Sequence, residues 1–234
     1  MNQSGKKTIR RDRLGENAVL AGLFFSLLFF LMSYPLIADQ TLGTLLLDVV
    51  FSALLITSAY AVSHNRKVLI VAVILALPTF SLWWSVRATD ATEIVLASLA
   101  MSVVFFLFII TVILRNIARS DKVSVGTIYG VMSVYLLIGV AWSFLYAIVE
   151  LATPGAFDFG ALAPTADSSA ERGELRFFSY YSLVTLSTLG YGDITPLTPL
   201  ARSLSALEAI TGQLYIAVLI GFMVGTHIAQ KRRG

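Results

Sequence analysis

The sequence predicts an all-α integral membrane protein with six transmembrane helices and a re-entrant helix between the fifth and the sixth. Three observations lead to this fold class. The 234 residues are 57% hydrophobic and only 13% charged, and their mean hydropathy is +0.80, whereas a soluble domain carries about 25% charge. Six apolar runs are each long enough to span a bilayer as a helix. Between the last two runs lies a shorter apolar stretch that ends in a glycine-containing motif.

The six apolar runs are separated by short polar segments. They are predicted at residues 18–38, 41–63, 68–86, 92–117, 125–151 and 200–228. This layout divides the chain into a basic N-terminal segment at 1–17, a four-helix membrane domain at 18–123 and a third region at 124–234. The first run is longer than the apolar part of a typical signal peptide, so we expect a retained anchor.

The charges of the loops predict that both termini are cytoplasmic. With that topology most of the 17 Lys and Arg residues fall inside and most of the acidic residues fall outside, as the positive-inside rule requires. We therefore expect a multi-pass protein of the plasma (inner) membrane, with the lipid bilayer as its partner. The basic residues are spread over several loops instead of one face, which argues against nucleic acid as a partner. The chain has no cysteine, so disulfides and thiolate metal sites are excluded.

The most informative part of the chain is Ser187-Thr188-Leu189-Gly190-Tyr191-Gly192-Asp193, here called the glycine segment. Non-helical backbone at membrane depth must line water or bind something, because lipid offers it no hydrogen bonds. Rings of carbonyl oxygens that replace the hydration shell of K⁺ are the best-attested use of such backbone. Gly190 and Gly192 can adopt a positive φ without a Cβ penalty, and this would turn successive carbonyls toward one axis.

The apolar stretch from Leu175 to Leu186 is too short to cross the bilayer and is predicted to be a re-entrant half-helix. Its C-terminal end would point at the membrane centre, where its partial negative charge favours a cation. We expect Tyr191 to face away from the axis and to pack against Tyr180 and Tyr181 of a half-helix, with Asp193 at the outer mouth. One chain supplies only a quarter of a carbonyl ring, so a homotetramer is expected. A Gly-Tyr-Gly-Asp surface turn is the alternative interpretation.

Residues 188–193, Thr-Leu-Gly-Tyr-Gly-Asp, resemble the TVGYGD signature of tetrameric potassium channels, with Leu for Val. The resemblance covers residues 125–228 and implies an outer helix, a pore helix, a selectivity filter and an inner helix. It implies that the filter is formed by Thr188, Leu189, Gly190, Tyr191 and Gly192. The K⁺ ligands would be the carbonyls of the first four, with the Thr188 hydroxyl.

The resemblance extends to residues that support the filter. The aromatic pair and the small hydroxyls of the pore helix are matched by Tyr180, Tyr181, Thr185 and Ser187. Val184 stands where some family members carry a carboxylate that bonds the outer-mouth aspartate. The resemblance therefore leaves open how Asp193 is held.

The last helix carries the remaining candidate residues. Gly212 matches a glycine hinge of the family in its spacing from the filter, and close helix packing explains it equally well. One helical stripe next to Gly212 contains Gln213, Ile216, Ile220 and Val224. This stripe either lines the cavity and closes it by apolar constriction or packs on the fifth helix. Glu208 is an acid at membrane depth. We expect it to support the filter by bonding to its backing or to the pore helix, where Thr185 and Ser187 offer hydroxyls, in preference to sensing protons.

The fourth helix carries no basic residue before Arg115, unlike the charged fourth helix of voltage-gated channels. Moving one charge through the membrane field is worth ~2.3 kcal/mol per 100 mV, so little voltage dependence is expected from this helix. The sequence thus predicts a non-enzymatic, potassium-selective channel that conducts K⁺ passively and needs no cofactor. Two alternatives stay open: a non-selective cation channel, and a non-conducting membrane sensor or scaffold that kept the pore fold.

Overall fold

The computed structural model describes residues 17–33, 41–63, 65–86, 91–119, 124–160 and 170–231, without the side chains of 41–44, 170–174, 222–224 and 226–231. The predicted segment 1–17 therefore lies almost wholly outside the described residues. In chain order the elements are α1 (Asn17–Ser33), α2 (Thr41–Ala61), α3 (Arg66–Ser85), α4 (Thr92–Ala118), α5 (Val125–Ala152), β1 (Phe157–Asp158), α6 (Ala170–Leu186), β2 (Thr195–Pro196) and α7 (Pro199–Lys231).

Four of the described helices are long and apolar enough to cross a membrane. They are α3, α4, α5 and the Pro199–Gly221 part of α7. The described parts of α1 and α2 hold shorter apolar helices, Asn17–Ser33 and Leu45–Ala61. The predicted fold class, an all-α integral membrane protein, is confirmed, while the count of six spans stays a prediction.

The local sequence explains where α5 and α7 begin. Ser124 accepts a hydrogen bond from the backbone N–H of Thr127 at 3.1 Å, and the Thr127 hydroxyl accepts one from the Ser124 N–H at 3.2 Å. This reciprocal capping satisfies two donors at the start of α5. Thr198 accepts from the Ala201 N–H at 3.3 Å, and Pro199 takes the first helical position of α7, where its missing N–H costs nothing.

Helices α2, α3 and α4 converge on one aromatic residue of α5, Phe144. The ring of Phe106 on α4 stacks on Phe144 with centroids 5.9 Å apart, and Phe51 and Trp83 contact it edge-on at 6.0 and 6.2 Å. Trp83 also donates from Nε1 to the buried Asp48 Oδ1 at 2.7 Å, which gives this acid of α2 a polar partner. Helices α2, α3 and α4 therefore pack against α5 of the same chain.

The re-entrant helix is longer than predicted. It begins at Ala170 instead of Leu175, because the first turn consists of polar residues that carry no hydropathy signal. The sequence also did not predict the two-stranded sheet, in which Phe157 faces Pro196 and Asp158 faces Thr195. Strands of two residues are too short to show periodicity. This sheet joins the loop after α5 to the loop that follows the glycine segment.

Candidate functional site

The glycine segment leaves the end of α6 with a φ angle that alternates in sign. Thr188, Gly190 and Gly192 have φ of +58°, +58° and +78°, whereas φ is negative at Leu189 and Tyr191 between them. Glycine adopts this region freely. Thr188 is the single non-glycine residue with positive φ among the described residues, at a cost of about 1–2 kcal/mol for an L-residue. The sequence predicted positive φ at the two glycines but not at Thr188.

The backbone N–H groups at the start of the segment bond to the end of α6. The Thr188 N–H donates to the Thr185 carbonyl at 2.9 Å, and the Leu189 N–H donates to the Val184 carbonyl at 2.9 Å. The carbonyls of residues 188–191 accept no hydrogen bond from any part of the chain that the structure describes. Four consecutive carbonyl oxygens are therefore available to an external ligand.

Asp193 is held at the outer end of the segment by Tyr180. The Tyr180 hydroxyl donates to Asp193 Oδ2 at 2.6 Å, and the Ile194 N–H donates to Oδ1 at 3.1 Å. The hydrogen bond to the Asp193 carboxylate raises the pKa of Tyr180 to about 12, so this phenol stays a donor at physiological pH. Tyr180 thus holds Asp193, which the sequence left without an assigned partner.

The other two tyrosines of the site have different surroundings. The hydroxyls of Tyr181 and Ser205 lie 2.7 Å apart, and the Tyr181 ring packs edge-on against Tyr146 with centroids at 5.1 Å, so Tyr181 ties α6 to α5 and α7. Tyr191 is 66% exposed and makes no ring contact with Tyr180 or Tyr181 within the described part of its own chain. The expected packing of Tyr191 is therefore absent inside one chain, because the segment lies on an uncovered side of the protomer.

Glu208 is fully buried and links three helices. Its Oε2 accepts a hydrogen bond from Tyr146 of α5 at 2.5 Å, and its Oε1 lies 2.5 Å from the Ser182 hydroxyl of α6. Glu208 thus contacts the re-entrant helix as expected, but through Ser182 and not through Thr185 or Ser187. They lie nearer the end of α6, and the Ser187 hydroxyl donates to the backbone of α6 itself. Sequence reasoning missed Tyr146 and Ser182, since nothing in the sequence fixes how α5 and α6 are turned toward α7.

Gly212 and Gln213 of α7 lie close to the point where the glycine segment follows α6. A Cβ atom added to Gly212 would overlap the Leu186 carbonyl oxygen, so α7 approaches the last turn of α6 as closely as a glycine allows. Close packing therefore accounts for this glycine, and a hinge role stays a prediction. Gln213 Nε2 donates to the Thr188 hydroxyl at 2.9 Å, and that hydroxyl donates to the Ser187 carbonyl at 2.7 Å.

The rest of the predicted stripe lies on an open face of α7. Ile216 and Ile220 are exposed, at 41% and 57%, and the choice between lining a cavity and packing on α5 stays open. The side chain of Val224 lies outside the described residues. Among the described residues, no group of three His, Asp or Glu side chains is placed to hold a metal ion.

Part of the chain that includes this site is similar in sequence to known proteins. Residues 158–226 match the ion channel family. The chain is 37% identical over 92 residues, 38% of its length, to the two pore potassium channel c of Oryza sativa subsp. japonica. It is 33% identical over 86 residues, 35% of its length, to the inward rectifier potassium channel Kirbac3.1 of Paramagnetospirillum magnetotacticum. The chain spans only 16% and 29% of the lengths of these two relatives. No solved structure matches it significantly.

Proposed function

We propose, from the premise that this chain belongs to the pore-loop ion channel family through residues 158–226, that it forms a potassium-selective channel in which K⁺ flows passively. As a member of a channel family it is not an enzyme. The observation that carries the proposal is the row of four carbonyls at 188–191, which accept no hydrogen bond from the described part of the chain. The potassium channels among its relatives support K⁺ as the permeant ion.

The alternating φ of the glycine segment explains how its carbonyls can act together. In a regular strand successive carbonyls point to opposite sides, and reversing the sign of φ at every second residue turns them to the same side. Positive φ at Thr188, Gly190 and Gly192 follows this pattern. Carbonyls aligned in this way can replace the hydration shell of K⁺, and a rise of about 3.3 Å per residue stacks them in successive layers. The Thr188 hydroxyl extends the row at its inner end, and several ions can occupy it in file.

The functional unit in this proposal is a homotetramer. One chain contacts an ion from one side only, and a ring of ligands needs further copies around a common axis. Of the 18-residue apolar stretch of α7 that could cross a membrane, only 11% is buried within the chain, compared with 61% for the corresponding stretch of α5. Lipid can cover the apolar side chains of α7. It cannot cover Gln213 or the open carbonyls, because polar groups in hydrocarbon need hydrogen-bond partners. A second copy would also cover the exposed ring of Tyr191.

We place this channel in the plasma (inner) membrane with both termini cytoplasmic, from the distribution of loop charges. With that orientation the glycine segment opens outward at Asp193, and Gln213, Ile216 and Ile220 face the inner cavity. The ligand in this proposal is the permeant K⁺ ion, and the proposed conduction requires neither a cofactor nor nucleic acid.

The test is the reversal potential of the purified protein in planar bilayers, with K⁺ on one side and Na⁺ on the other. The proposal predicts a reversal potential displaced strongly toward the equilibrium potential of K⁺. A reversal potential near zero would establish the non-selective cation channel. A pure tetramer that passes neither ion in a parallel liposome flux assay would establish the sensor or scaffold, and a monomer in lipid would contradict the assembly. Bilayers without protein serve as the control.

A further inference from the structure

Three close oxygen–oxygen contacts form a row from Tyr146 through Glu208 and Ser182 to Gly139, and each of them needs a proton. Tyr146 Oη lies 2.5 Å from Glu208 Oε2, Ser182 Oγ lies 2.5 Å from Glu208 Oε1, and Ser182 Oγ also lies 2.7 Å from the Gly139 carbonyl oxygen. A hydroxyl carries one proton and a carbonyl oxygen carries none. The two hydroxyls therefore supply two protons for three contacts, and one proton is missing.

We infer that Glu208 is a protonated, neutral carboxylic acid that supplies the third proton. Glu208 then donates from Oε1 to Ser182 Oγ, Ser182 donates to the Gly139 carbonyl, and Tyr146 donates to Glu208 Oε2. All three contacts become hydrogen bonds. With an ionised Glu208, Ser182 would have to donate to the carboxylate. The Ser182 and Gly139 oxygens would then face each other at 2.7 Å without a proton between them, which is a repulsive contact.

The surroundings of Glu208 agree with a neutral group. Its side chain is fully buried, and no basic residue of the described chain pairs with it. The titratable groups that face it are phenols, Tyr135 and Tyr146 on α5 and Tyr181 on α6. A buried carboxylate without a cationic partner is costly, and proteins usually keep such a group neutral.

A neighbouring pair of contacts can be satisfied by hydroxyl protons alone. The Tyr181 hydroxyl lies 2.7 Å from Ser205 Oγ, and Ser205 donates to the Ala201 carbonyl at 2.8 Å. Here two hydroxyl protons serve two contacts, with Tyr181 as the donor to Ser205. No acid is involved and no proton is lacking.

The neutral acid acts as a positioning residue for the pore helix. Through Ser182 and Tyr146 it fixes α6 between α5 and α7, and Ser182 lies on the helix that leads directly into Thr188. One turn further along α7, Gly212 contacts the last residue of α6, Leu186. The two contacts hold the end of α6, from which the glycine segment begins. This role rests on the proposed function, whereas the protonation state does not.

Infrared spectroscopy of the purified protein at neutral pH tests the protonation state directly. Wild type should show the C=O stretching band of a protonated carboxyl group, which shifts in deuterated buffer, and Glu208→Gln should lack it. The matched control is Glu93→Gln, which removes an exposed acid from the first turn of α4 and should lose carboxylate bands only. The inference is overturned if Glu208→Gln, like the control, loses a carboxylate band and leaves the band of protonated carboxyl groups unchanged. This result does not depend on whether the protein conducts.

Two substitutions at Glu208 separate a neutral hydrogen-bonding group from a charge. Glu208→Gln keeps one donor for Ser182 and one acceptor for Tyr146, so K⁺ flux should stay within about twofold of wild type. Glu208→Leu keeps the volume but leaves the Tyr146 hydroxyl without an acceptor, and flux should fall about tenfold or more, with a lower unfolding temperature. Equal losses in both variants would mean that the charge itself is required, and would contradict the inference.

Discussion

Gly212→Ala tests how closely α7 approaches the end of the re-entrant helix α6. The added Cβ would overlap the Leu186 carbonyl oxygen and lie 3.0 Å from the Leu186 carbonyl carbon and 3.1 Å from its Cδ1. The first two obstacles are backbone atoms, which cannot rotate away as a side chain can. Overpacking of this kind costs about 1–3 kcal/mol, and the higher helix propensity of Ala offsets about 1 kcal/mol of it.

Gly221→Ala is the matched control, because Gly221 is exposed on the same helix and an added Cβ meets no atom within 4 Å. This control gains only the helix propensity, about 1 kcal/mol. We therefore expect Gly212→Ala to be less stable than Gly221→Ala by about 1–3 kcal/mol per chain. It should also conduct less K⁺, since the displaced carbonyl belongs to the residue that ends α6.

The comparison uses denaturant unfolding of the two purified variants in detergent, followed by circular dichroism, and liposome flux of K⁺. The reasoning is refuted if Gly212→Ala is as stable as Gly221→Ala and conducts K⁺ at the wild-type rate. Such a result would mean that α7 does not approach Leu186 as closely as described.

Three further predictions concern the filter and the fourth helix. Gly190→Ala should abolish K⁺ flux without loss of assembly, because φ is +58° there; Gly155→Ala, at φ of +82° outside the glycine segment, places the same strain elsewhere and should conduct. Gln213→Leu removes the donor to the Thr188 hydroxyl and should lower K⁺ over Na⁺ selectivity about two- to tenfold, and an unchanged reversal potential would contradict this. Steady-state current should show no steep sigmoid between about −100 and +100 mV, since α4 carries no basic residue before Arg115.

The helices were predictable because hydropathy reports directly on burial in lipid. The predicted spans at 92–117 and 125–151 agree with α4 and α5 to within one residue. The start of α6 was wrong because its first turn is polar, and hydropathy does not distinguish a polar helix from a loop. The sheet of β1 and β2 left no signal in residues so few.

The glycine segment was predictable as a unit, and its supports were predictable only in part. The two glycines indicated positive φ, and the apolar flanks indicated membrane depth. The partners of Glu208 and the bond from Gln213 to Thr188 depend on how three helices are rotated about their axes. Nothing in the composition of a single apolar helix determines that rotation. The sequence did not predict which residue holds Asp193, because Val184 has no polar group. In the structure Tyr180 makes this bond.

A density map of the assembled protein in K⁺ tests the central claim most directly. The account predicts four copies of residues 188–192 around one axis, with ion density between their carbonyls and Tyr191 covered by a neighbouring chain. A map in which Tyr191 stays in open solvent, far from any symmetry axis and with no ion density beside the segment, would contradict it.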